Sequence, residues 1–222
     1  PTTIAKMDGA DQDRAFNIVD AGDKIVWGSF PDYGRLGGAV SVYDKASKKV
    51  TGIYKEPVKN QCIAGLAYKD GKIYGSTSIY GGLGIDPVDA PAQMFIMDPE
   101  TGKVEKSVEV KLTTDKNPQY FVGDMLFDDE GNLWVACAQT LLKVNPSTLA
   151  IEKEIPIGSQ KNTLSKTRAL PYNMEIGKDG LMYTNIGYRV SAVDLKTYEV
   201  KTLLGVGTNA LTIGSDDNLY MI

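Results

Sequence analysis

Histidine is missing from this sequence altogether. That absence removes His-based catalytic triads, His-ligated zinc or iron, and the commonest general base in enzymes. Cysteine is nearly as scarce, with only Cys62 and Cys137. Each lies inside an apolar strand pattern, so both are expected as buried small apolar residues; a disulfide would need their Cα atoms within about 7 Å. No excess of either charge exists, since 24 basic and 28 acidic residues give a net charge of −4 and are spread along the chain. Without a basic stripe, nucleic acid is excluded as an expected partner. No apolar run reaches the ~18 residues of a membrane span, and the start, Pro1-Thr2-Thr3-Ile4-Ala5-Lys6, is not a charged segment followed by an apolar one. Neither a membrane span nor a signal peptide is therefore expected within it. Because the sequence begins without Met, a trimmed product of an exported protein stays open.

What is present is a repeat. Apolar residues are 42% of the chain and charged residues 23%, ordinary for a globular domain with a sizeable core. Five segments share an acidic turn residue followed by an aliphatic and then an aromatic residue: Asp23-Lys-Ile-Val-Trp27, Asp70-Gly-Lys-Ile-Tyr74, Glu130-Gly-Asn-Leu-Trp134, Asp179-Gly-Leu-Met-Tyr183 and Asp216-Asp-Asn-Leu-Tyr220. Their aromatic residues are 47, 60, 49 and 37 positions apart. A second pattern interleaves, an apolar stretch ending in Asp or Asn and then a polar turn, at Asp44, Asp98, Asn145 and Asp194. Both are hairpin signals: Asp-Gly supplies the positive φ of tight turns, and Asp98-Pro-Glu-Thr-Gly102 suits a type I turn. Segments such as Lys103-Val-Glu-Lys-Ser-Val-Glu-Val110 alternate at period two, so almost no helix is expected.

Two hairpins per period of about 50 residues give four strands, which is one blade of a β-propeller. The expected fold is thus all-β, with four complete four-stranded antiparallel blades at about 14–56, 60–111, 118–156 and 168–204, and a partial fifth at 207–222, in a single domain. Strands C and D of that last blade are absent, so a fragment or an incomplete ring is expected, and an open ring would invite self-association. Thr2 to Met7 has room for only one outer strand by ring closure.

The repeated acidic-Gly-x-aliphatic-aromatic turn, followed by Asp-Pro-x-Thr-Gly, resembles the NHL, SMP-30/gluconolactonase, YVTN and quinoprotein-like propellers, particularly bacterial surface and secreted ones. The resemblance covers nearly the whole chain and implies the fold; it hosts sensors, scaffolds, lactonases and lyases alike. An extracellular or cell-surface location is what it implies here, with a cytoplasmic one as the alternative.

Loop length points to one face of the blades. From the strand B aromatic to the strand C turn residue takes 11 positions in blades three and four, but 17 in blade one and 24 in blade two. Those B–C connections, with the D–A connections at 111–120 and 157–170, project on the face opposite the short A–B and C–D turns. The two long loops share a Tyr-Gly-x-Leu-Gly core, in Phe30-Pro-Asp-Tyr33-Gly-Arg-Leu-Gly-Gly38 and Ile79-Tyr80-Gly-Gly-Leu-Gly84. Their glycines are read as positive-φ turn residues, since no helix follows that would make a phosphate cradle. Tyr33 and Tyr80 are candidate exposed aromatic plates, or else rings packed on the strands beneath.

Arg14, Asn17, Asn60, Gln61, Asp124, Arg168, Tyr172, Asn173 and Asn209 precede their blades' acidic turns by similar intervals, and are expected around the mouth of a central channel. Either they satisfy loop backbone groups and water, or they bind a polar small molecule, for which an oligosaccharide is the best fit. The resemblance to SMP-30-type lactonases implies a calcium or magnesium ion on Asn17, Asp124, Asn173 and Asn209. Against it, Asp124 and Asn209 differ by one position in their offset, which reverses a side chain on a strand. No resident cofactor is otherwise expected. Asp8, Asp11 and Asp13 lack the Gly and distal Glu of a calcium loop and are read as a solvated segment. No Ser, Lys or Tyr is spaced as a nucleophile with its base. The expected function is therefore a non-catalytic propeller binding a glycan or a protein partner through the long-loop face, and the alternative is a metal-dependent lactonase or lyase-like enzyme.

Overall fold

A computed structural model describes Thr3, Met7, residues 9–158 and residues 173–222. Among these residues there is no helix, and every ladder is antiparallel between strands consecutive in sequence. The first sheet holds β1 (Gln12–Ala21), β2 (Lys24–Pro31), β3 (Ala39–Asp44) and β4 (Lys49–Lys55). The second holds β5 (Cys62–Lys69), β6 (Lys72–Ser78), β7 (Gln93–Met97) and β8 (Val104–Glu109). The third is built from β9 (Val122–Phe127), β10 (Leu133–Cys137), β11 (Thr140–Val144) and β12 (Ile151–Pro156). The fourth follows with β13 (Asn173–Ile176), β14 (Leu181–Ile186), β15 (Arg189–Asp194) and β16 (Val200–Leu204). A two-stranded piece, β17 (Leu211–Ile213) and β18 (Leu219–Met221), completes the order.

The turns explain the repeat. Asp70 and Gly71 both adopt positive φ, 49° and 77°, as a two-residue hairpin of matching twist requires. In the last two repeats the acidic turn residue also latches its own aromatic, Tyr183 Oη donating to Asp179 Oδ2 at 2.7 Å and Tyr220 Oη to Asp216 Oδ2 at 2.9 Å; in the third, Trp134 Nε1 donates at 2.8 Å to Asp128, two positions before the turn residue Glu130. On the other hairpin, the side chain of Asp98, Asn145 or Asp194 accepts two backbone amides of its own turn at 2.8 to 3.0 Å. Such local bonds specify the turn without need of any distant contact.

The chain divides into two compact units, Pro1–Val110 with Pro118–Val122, and Lys111–Asn117 with Gly123–Ile222. In the first unit the two sheets bury an apolar layer, in which Val26, Val40 and Val42 meet Ile63, Leu66, Ile73, Phe95 and Met97. Gly28 lets them close, since a Cβ there would stand 2.4 Å from the Ile63 Cγ2. The outer side of β2 and β3 is met by Met7, whose sulfur accepts Trp27 Nε1 at 3.0 Å and Ser41 Oγ at 3.8 Å. Of the Thr2 to Met7 stretch considered for ring closure, only Thr3 and Met7 are described, and neither is in a strand. In the second unit, β13 packs on β17, and carboxylates tie neighbouring first strands together: Met174 N donates to Asp124 at 3.0 Å, and Ile213 N to Glu175 at 2.8 Å. Both cysteines are buried thiols, and burial raises the Cys137 pKa well above its ordinary value.

Candidate functional site

The two long loops of the first unit grip each other. Gly34 N donates to Leu83 O at 2.7 Å, and Gly82 N donates to Arg35 O at 2.9 Å. Glycine permits that approach: a Cβ on Gly82 would lie 2.1 Å from Asp32 O, and one on Gly81 2.4 Å from Arg35 O. Gly34, Gly37 and Gly84 carry the positive φ values, 73°, 81° and 79°, that the sequence pattern implies, whereas Gly38, Gly81 and Gly82 do not and are needed for close backbone approach instead.

Tyr33 crowns this pair of loops with its ring against Gly84, and it is 78% exposed. Leu83, bonded to the neighbouring Gly34, is 53% exposed. Tyr80 corrects the expectation of two plates: it is only 5% exposed, because the loop after β6 turns down between bonds from Ile79 N to Tyr120 O and from Val88 N to Ile79 O.

Beside the first loop lies a pocket of about 430 Å³ lined by Asp11, Arg35, Lys55, Glu56 and Asn60, among others. Its geometry centres on Asp11, whose two oxygens face Lys55 Nζ at 2.9 Å and Arg35 Nη2 at 3.4 Å. The Lys55 hydrogen bond, then the Arg35 charge, hold the Asp11 carboxyl below its ordinary pKa. Asn60 adopts φ 62°, a left-handed conformation that asparagine tolerates better than most residues. Of this group, the sequence nominated only Asn60 as a ligand residue. Asp11 lies in a stretch that the sequence presents as solvated, and Arg35 occupies the variable position of the shared loop core.

The other candidates serve varied ends. Arg14 is exposed and pairs with Asp13 at 3.1 Å. Asn17 accepts Gly28 N at 3.3 Å, while its Nδ2 is enclosed without a partner. Gln61, 1% exposed, donates to Pro91 O at 2.9 Å and accepts the Thr77 hydroxyl, so its amide pins the second long loop to β6. Asn173 stands opposite Asn185 with its Oδ1 enclosed and unpartnered. Asn209 is exposed, and its backbone N–H donates to Ile222 O at 2.7 Å. Arg168 and Tyr172 lie outside the described residues, as does Asp8.

Asp124 has its carboxyl group enclosed, and burial pushes its pKa up to about 7, with the nearby Glu175 charge adding to the rise. The amides of Met125 and Met174 pull the other way, each donating to one carboxylate oxygen at 2.9 and 3.0 Å. A hard cation here would compete with both bonds. Among the described residues, no group of three or more Cys, Asp or Glu is disposed to hold a metal.

A second cavity, of about 720 Å³, opens on the short-turn face of the second unit, among Asp128, Glu130, Asp179, Asp194, Lys196 and Tyr198. The carboxylates of Asp128, Asp179 and Asp194 are committed to the turn bonds described above.

No family model and no curated protein sequence matches the chain. Solved structures do. The chain is similar to the Dos1 propeller, with a TM-score of 0.59 and 10% identity over 89% of this chain and 48% of that one. It is also similar to the extracellular domain of the hybrid two-component system BT4673 from B. thetaiotaomicron, with a TM-score of 0.56 and 10% identity over 96% and 31% of the two chains. The propeller domain of Myceliophteria thermophila Cps50 (Swd1) gives a TM-score of 0.56 and 14% identity over 93% and 61%. The fold is a β-propeller. Its four-stranded sheets are blades, four complete and a fifth represented by two strands, and the chain spans about a third to three fifths of the length of these neighbours.

Proposed function

We propose that this is a non-catalytic binding propeller, working without a cofactor at the bacterial surface or outside the cell, that engages a glycan or a protein partner through the long-loop face of its first two blades. The turn signature it shares with NHL- and SMP-30-like propellers supports that assignment, as does the presence of extracellular domains among its structural neighbours. The observation that carries the reading is the mutual grip of loops 32–38 and 79–92, which holds Tyr33 exposed on a loop whose later residues, Arg35, Leu36 and Gly37, line a polar pocket. A loop longer than its blade requires, yet fixed by another, is preorganised for contact, and an aromatic plate loses little rotamer entropy on binding.

Tyr33→Ala should therefore weaken binding by about tenfold or more without lowering the melting temperature, because an exposed ring contributes little to the core. A glycan array and a capture experiment with surface proteins, each run with both forms, read this out. Equal binding by both forms would move the site elsewhere.

A further inference from the structure

The pocket that Arg35, Leu36 and Gly37 of the Tyr33 loop help to line has a charge arrangement that selects among ligands. Two carboxylates, Asp11 and Glu56, face two cations, Arg35 and Lys55, so the lining sums to zero. Asp11 already engages both cations, at 3.4 and 2.9 Å. An incoming anion at Arg35 or Lys55 would stand beside the Asp11 carboxylate that both already hold, and near Glu56 as well. An incoming cation finds Asp11 already taken up by Arg35 and Lys55, and would meet Glu56 within the repulsive field of both. A hydroxyl has neither difficulty: it donates to a carboxylate and accepts from a guanidinium or ammonium in the same contact, leaving the ion pairs intact. Asn60, fixed by its left-handed backbone, adds an amide that can both donate and accept. The volume, about 430 Å³, is within the ~300–1,000 Å³ of small-molecule sites.

The geometry points to a neutral oligosaccharide as the ligand class, with one sugar face on Tyr33 and the hydroxyls of a neighbouring unit read by Asp11, Arg35, Lys55, Glu56 and Asn60. This rests on the binding role proposed for the long-loop face and narrows its partner. Uronic-acid and sulfated glycans are disfavoured by Glu56 and by the capture of both cations by Asp11. The selection is electrostatic, so it can be reversed by one charge.

Calorimetric titration of the full chain tests it, using neutral cello-, malto-, xylo- and manno-oligosaccharides against oligogalacturonates of matched length, at low and high salt. The unmodified chain should bind at least one neutral series in preference to oligogalacturonate, with little salt dependence. Asp11→Asn frees Arg35 and Lys55 and should raise oligogalacturonate affinity by about tenfold, in a salt-sensitive way. Glu56→Gln changes the net charge by the same unit without touching the Asp11 pairs, and should move the preference in the same direction should Asp11→Asn prove unstable. A preference of the unmodified chain for oligogalacturonate, lost in Tyr33→Ala, would overturn the neutral-ligand inference and leave the binding face standing. Folded Asp11→Asn and Glu56→Gln proteins with unaltered preference would do the same. Failure of every sugar and every surface protein to bind in a Tyr33-dependent way would overturn both.

Discussion

Residue 48 and its counterparts show how a turn is specified one position at a time. The last residue of each C–D turn is left-handed: Lys48 at φ 57°, Gly102 at 70°, Leu149 at 60° and Tyr198 at 64°. Only Gly102 announces this in the sequence, and there glycine is needed twice over, because a Cβ would lie 2.0 Å from the Tyr54 ring. Tyr198 is held instead by non-local packing, with its ring 6.5 Å from that of Trp134 and Lys153 above it. Lys48 is exposed and has no such compensation. A non-glycine residue in this region costs roughly 1–2 kcal/mol, part of which glycine returns as unfolded-state entropy. Lys48→Gly should therefore stabilise the protein by about 0.5–1 kcal/mol, measured as a shift in denaturant midpoint at constant m-value. The Asp and Asn residues that open these turns were legible because each bonds amides two or three positions away. The left-handed conformations of Leu149 and Tyr198 were not, because nothing near them in sequence calls for it.

For whole elements, the contrast lies between strands and long loops. Alternation and acidic-aromatic turns announced the strands and their meander order, since a hairpin's pairing is decided by neighbours in sequence. Loop lengths announced where the irregular backbone would lie, and the shared Tyr-Gly-x-Leu-Gly core announced fixed turns. Which tyrosine would face solvent was not announced, because both occur in the same local motif and differ only in what the loop meets: Tyr33 rests on Gly84, and Tyr80 is carried inward. The grip itself needs Gly82, where a Cβ would fall 2.1 Å from Asp32 O. Gly82→Ala should cost about 1–3 kcal/mol and loosen both loops, seen as faster proteolysis at residues 32–38 and 79–92 and reduced binding at Tyr33.

Across the whole molecule, stability and pH are tied through Asp124. Its carboxyl group titrates at about 7 in the folded protein, against an ordinary value of 3.8. A raised acid holds its proton more tightly when folded, so between those two values the folded state binds more protons than the unfolded chain. Stability should therefore fall as pH rises from about 4 to 7, by on the order of 1 kcal/mol per unit. Asp124→Asn should flatten that slope, and guanidinium midpoints at pH 5 and pH 7.5 would show it; an unchanged slope would mean that Asp124 is solvated and ionised throughout. Asp124 was picked out from sequence as a ligand candidate, yet its two oxygens accept amides from β9 and β13, a role that depends on how successive sheets stack. The repeat and the four-stranded blade were determined by the sequence alone, because each follows from interactions a few residues apart. Only tertiary structure decided that two loops would interlock, that Tyr33 would stand clear while Tyr80 is covered, and that Asp11 would meet Arg35 and Lys55. Those outcomes depend on which distant backbones approach within a few ångströms, and local pattern carries no record of that distance.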